Sequence, residues 1–180
     1  MIIAREKKKE NIAEYILYMW QIEHIIRVLN LDIEKIYQNI IIKFDQPDSV
    51  KNEMKSWYLG LISMMKEENK TEKGHLQILQ NTINDLYNFH LQMLNSDNEQ
   101  NYVDTYNLSK PGIDDLVLKS NQTVQNEIEA CFNGLYGLLM FRMQNKTISP
   151  ETAGAMNHIS RLIALLSKRY KQFENGEIEI

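Results

Sequence analysis

The sequence predicts an all-α protein, a single-domain, up-and-down helical bundle of about six helices. Three observations lead there. Apolar residues recur at spacings of three and four along most of the chain, and no segment alternates as a half-buried strand would. Glycine and proline are scarce, seven and three in 180 residues, which suits helices better than turn-rich β architectures. Hydrophobic residues make up 43% of the chain and charged residues 24%, an ordinary globular balance that at this length builds a core without disulfide or metal.

The elements follow in order. A first helix is predicted from about Ala4 to Leu29, apolar around much of its circumference, with Tyr15, Met19, Ile22, Ile26 and Leu29 as its core stripe. Asp32 is a cap for a short helix through Ile33, Ile36, Tyr37 and Ile40. A break over 45–49, containing Pro47, precedes a third helix with Val50, Met54, Trp57 and Leu61 on one side. Thr71 is expected to cap a fourth helix carrying Leu76, Leu79, Ile83, Leu86, His90 and Met93. Ser96 and Glu99 have capping-box spacing and open a shorter helix with Tyr102, Val103 and Tyr106, which Pro111-Gly112 is expected to end. A fifth long segment runs from about Thr123 to Asn145. Ser149-Pro150-Glu151 combines a capping hydroxyl, a proline at the first helical position and an acid favoured by the dipole. The last helix stops at Asn175-Gly176, leaving 175–180 as a loose tail. No repeat and no linker long enough to split domains is present.

Composition narrows the function. A net charge of −4 disfavours a general nucleic-acid binder, whose affinity comes from neutralising phosphates. The longest uncharged run, Ala130 to Phe141, is far short of the roughly 20 residues a membrane span needs. Cys131 is the sole cysteine, and the basic N-terminus leads into a stretch interrupted by Glu14, Glu23 and Arg27 without a small-residue cleavage site. A cytoplasmic location is the expectation.

Several stretches carry a family resemblance. They are Asn11-Ile-Ala-Glu-Tyr-Ile-Leu-Tyr-Met-Trp-Gln-Ile-Glu23, Lys73-Gly-His-Leu-Gln77 and Glu127-Ile-Glu-Ala-Cys-Phe-Asn-Gly-Leu-Tyr-Gly137, joined by Ile148-Ser-Pro-Glu-Thr152 and Ile159-Ser-Arg-Leu-Ile-Ala164. Together they resemble the bacterial family named domain of unknown function 4924, over nearly the whole chain. The chain departs from that pattern at His24, where an acidic residue would stand beside Glu23. The resemblance implies an all-α fold in one domain. It implies no activity and transfers no functional residue.

One constellation merits a site hypothesis. Trp20, Glu23, His24 and Arg27 fall at i, i+3, i+4 and i+7 of the first helix and share one face, opposite the core stripe. They are the candidate ligand-binding residues: Arg27 to hold an anion, Glu23 or His24 to move a proton. The plainer reading is an i,i+4 Glu23–Arg27 pair worth about 0.3–0.5 kcal/mol, with Trp20 packed under a neighbouring helix. A metal is not expected. His75 and His90 would lie roughly 22 Å apart on one helix, and no HxxxH or Glu-x-x-His spacing occurs. No catalytic residue and no cofactor is assigned, for the chain lacks a phosphate loop, a nucleophile elbow and a paired-carboxylate motif. His90 reads as a satisfied core histidine and Cys131 as a buried, inert thiol.

Two small-residue ridges bear on partners. Ala130, Gly134 and Gly137 would let another helix approach closely, as would Ala153, Asn157, Ser160, Ala164 and Ser167, for which packing inside the bundle is the expected use. The leading expectation is a non-enzymatic protein that works through contacts with another protein or a second copy of itself. The alternative is a small-molecule-binding protein or enzyme with its pocket on the first helix.

Overall fold

The computed structural model describes residues 2–120 and 123–180, apart from the side chain of Ile2. Among them the regular structure is all helical. In chain order come α1 (Ile2–Glu10), α2 (Ile12–Val28), α3 (Ile33–Asn39), a 3₁₀ turn (Ile41–Lys43), α4 (Asp48–Glu67), α5 (Gln77–Leu94), α6 (Gln100–Lys119), α7 (Glu127–Met143) and α8 (Pro150–Glu174). The class is the predicted one, but eight α-helices among the described residues replace about six.

Each difference has a local cause. The first predicted helix is two helices, because the Asn11 carboxamide oxygen accepts from the Ala13 amide at 3.0 Å, drawing the backbone out of the helical ladder. Thr71 does not begin α5. α4 instead closes with Asn69 in the left-handed region (φ 55°) and a 2.7 Å bond from the Lys70 amide to the Met65 carbonyl. Gly74 then turns at φ 78°, a conformation that favours glycine, and α5 starts three residues later. Its Gln77 amide is taken up by the Glu68 carboxylate at 2.6 Å. The predicted stop at Pro111-Gly112 lies in the middle of α6. Proline's missing N–H and its clash with the preceding turn cost roughly 3 kcal/mol in a helix interior. What opposes that cost is burial: Ser109 and Ile113 on either side are buried, and Gly112 admits α8. A Cβ there would stand 3.2 Å from that of Ala155.

Other signals match. Asp32 caps α3 by accepting from the Glu34 and Lys35 amides, and Ser149 caps α8 by accepting from the Thr152 amide at 3.1 Å, with Pro150 first in the helix. Gly176 terminates α8 at φ 70°.

The chain divides into two compact units, Met1–Lys9 with Glu14–Gln80, and Glu10–Ala13 with Asn81–Ile180. In the first, the buried side chains include Ile16, Met19, Trp20 and Ile26 of α2, Ile36 of α3, Ile41, and Met54, Tyr58, Leu61 and Met65 of α4. In the second they include Ile83, Leu86 and Met93 of α5, Tyr102 and Ile113 of α6, Ile128, Cys131 and Phe132 of α7, and Met156, Ile159, Ile163 and Leu166 of α8. No described helix is long and apolar enough to cross a membrane.

The small-residue ridges part company. At Gly134 an added Cβ would come within 2.7 Å of Leu116 Cδ1, so α6 does pack against that position. At Gly137 there is nothing within 4 Å. On α8, Ser167 is buried and binds Asn11, whereas Ala153, Asn157, Ser160 and Ala164 are exposed, so the expected internal packing of that face is not formed.

Candidate functional site

Three of the four α2 candidates converge, on the segment that joins α4 to α5. Glu23 is fully buried. Its Oε2 lies 2.6 Å from His75 Nδ1 and its Oε1 accepts from the Leu76 amide at 2.8 Å. A carboxylate can only accept, so His75 Nδ1 carries the proton in this bond. Trp20 stacks on the same imidazole, with ring centroids 3.9 Å apart and planes 11° from parallel. Arg27 donates from Nε and Nη2 to the Lys70 carbonyl at 3.1 and 3.0 Å, and from Nη2 to the Gly74 carbonyl. The i,i+4 Glu23–Arg27 ion pair is not among the described pairs, because each partner is committed to the loop. His24 is exposed and does not join them. Adjacent residues on a helix diverge by about 100°, which puts His24 on the rim of the arc that Trp20, Glu23 and Arg27 share.

The result is a side-chain clasp: a buried carboxylate, an aromatic stack and a guanidinium together satisfy a loop that has no ladder of its own. The same geometry places His75 ahead of α5 rather than on it, which corrects the expected 22 Å spacing along a shared helix.

A second polar cluster lies in the other unit. His90, on α5, is fully buried. Its Nδ1 is 2.6 Å from the Tyr102 hydroxyl and its Nε2 is 3.1 Å from Glu127 Oε1. Tyr106 donates to Glu127 Oε2 at 3.0 Å. Asn126 fixes the start of α7 by accepting from the Glu129 amide at 2.9 Å, and so sets Glu127 in the first helical turn.

The partners assign the protons. Glu127 accepts, so Nε2–H donates to it. Nδ1 faces Tyr102, whose phenol keeps its proton because burial pushes it up. The His90 and Tyr106 hydrogen bonds hold the Glu127 carboxyl below the usual glutamate range, with burial opposing them. Burial foremost, and the bond to Glu127 after it, push Tyr106 up. Burial likewise pushes up the Cys131 thiol, which remains protonated and unreactive. The cluster is an imidazole held between a phenol and a carboxylate. Glu127, with a fifth of its side chain exposed, is its route to solvent.

His90 is thus a satisfied core histidine. The residues that satisfy it were not singled out in the sequence. One signal was available: Tyr102 and Tyr106 stand at i,i+4, so both rings share a face. Nothing in the spacing pointed to Glu127. Among the described residues no three of His, Cys, Asp and Glu lie together as metal ligands would.

One family, described as "Domain of unknown function (DUF4924)", matches residues 1–177. No curated protein and no solved structure matches the chain.

Proposed function

We propose that this chain, which belongs to that family over nearly its whole length, acts without catalysis by associating with a second copy of itself through the C-terminal half of α7. The observation that carries the reading is an apolar helix end left uncovered. Phe141 and Met143 are 45% and 64% exposed, and Leu118 at the end of α6 is 79% exposed. A helix that is apolar on all sides is normally buried, and contiguous exposed apolar surface marks a binding face.

Two further features support a self-complementary contact. Gly137 presents open space where another helix backbone can come close, continuing the ridge whose Gly134 already receives α6. Arg142 lies in the last turn of α7 and Glu151 in the first turn of α8, and neither forms an ion pair among the described residues. In a twofold dimer each would meet its opposite from the other copy.

Sedimentation equilibrium of the full chain over a range of concentrations tests this. The wild type is expected to form a dimer, and the Phe141→Glu, Met143→Glu double variant a monomer with unchanged helical circular dichroism. A wild type that stays monomeric at the highest attainable concentration would overturn the reading, as would a double variant that dimerises equally well.

A further inference from the structure

A cleft of about 310 Å³ opens in the first unit, between α1 and the stretch that runs from the 3₁₀ turn into α4. Its floor is apolar, built from Ile3, Phe44, Val50 and Met54. Arg5 and Glu53 line the same cleft with opposite charges. Both are exposed, and neither side chain forms an ion pair or hydrogen bond among the described residues. Elsewhere in this unit some surface charges pair, Lys7 with Glu14 at 2.8 Å and Lys55 with Glu34 at 2.7 Å, while others such as Lys43 and Lys51 are in none of the described ion pairs.

From this arrangement we infer a binding site for a free apolar α-amino acid. The cleft's size lies at the lower end of the roughly 300–1,000 Å³ that ligand pockets occupy, which suits a small molecule. Its chemistry selects among small molecules. An apolar anion would suit Arg5 but meet repulsion from Glu53, and an apolar amine would face the reverse. A zwitterion satisfies both. The guanidinium fork matches a carboxylate bidentately, and the ammonium donates to Glu53 with the Gln46 amide oxygen as a second acceptor. The ligand's side chain then covers Phe44, Val50 and Met54, removing apolar surface from water.

The test is isothermal titration calorimetry of the full chain with L-leucine and L-phenylalanine. Three analogues accompany them: isocaproate without the ammonium, isoamylamine without the carboxylate, and glycine without the apolar part. Saturable binding of at least one of the two amino acids is expected, with each analogue weaker by about tenfold or more, the scale of one lost charge-assisted hydrogen bond. Arg5→Gln and Glu53→Gln, both surface substitutions, should each weaken binding by a similar factor and leave the circular dichroism unchanged. No binding of either amino acid, an analogue that binds as tightly as leucine, or an unchanged Kd in either variant would overturn the assignment.

Discussion

Each unit contains one histidine paired with one glutamate, and the two pairs are inverted with respect to burial. In Glu23–His75 the carboxylate is fully buried and the imidazole has 20% of its side chain exposed. In His90–Glu127 the imidazole is fully buried and the carboxylate has 20% exposed. The buried member of each pair organises its surroundings, because desolvation makes every unmade hydrogen bond costly there and cheap at the surface. Glu23 therefore dictates the path of the chain over Lys70–Leu76, since it must find two donors. His90 dictates which faces α6 and α7 present, since each of its ring nitrogens must find a hydrogen-bond partner.

The sharpest way to break the comparison is Glu23→Ala. It strands the Leu76 amide and the inward edge of His75, and a loss of about 3 kcal/mol of unfolding free energy is expected from a urea transition. The matching change at the other partner, His75→Ala, leaves Oε2 of the fully buried Glu23 without its donor and should cost a similar amount, and a clearly smaller loss would contradict the claim that burial sets the cost. Next comes His90→Leu. The volume is kept, but the buried Tyr102 hydroxyl loses its hydrogen-bond partner, for about 1–3 kcal/mol on the same assay.

The third test turns on pH, and its sign follows from the lowered carboxyl of Glu127. A carboxyl held lower in the folded state than in the unfolded one binds fewer protons when folded. Its contribution is therefore present above the ordinary glutamate range and fades as pH falls through the lower folded value. Glu127→Gln should flatten that acid limb of the stability curve. Tyr106→Phe, which removes only one of the two hydrogen bonds, should shift it by a smaller amount, with about 0.5–1.5 kcal/mol lost near neutrality. If the acid limb is the same in wild type and Glu127→Gln, the carboxylate is not what the cluster depends on.

Such pairs were hidden in the sequence for a definite reason. Periodicity reports which face of a helix is apolar, so the buried stripe of α5 could be read directly, whereas on α4 it gave Met54 and Leu61 but not the buried Tyr58 and Ile62. Caps are local, and Asp32 and Ser149 were readable from two or three neighbours. Glu23 and His75 are separated by 52 positions, and His90 and Glu127 by 37, so no local pattern links them. Trp20, Glu23 and Arg27 could be read as one face, but not that the face would close on the chain's own loop. Pro111 misled for the complementary reason. Its local cost was plain, while the burial of Ile113 and the fit of Gly112 against Ala155, 43 positions on, belong to tertiary packing.

The Arg27 clamp has a practical consequence for anyone remodelling this molecule. Its guanidinium grips two carbonyls four residues apart, so the connection between α4 and α5 works as a measured length of chain, not as slack. A tag spliced in between Lys70 and Gly74, or new termini opened there by circular permutation, would pull one carbonyl out of reach and loosen Glu23 with it.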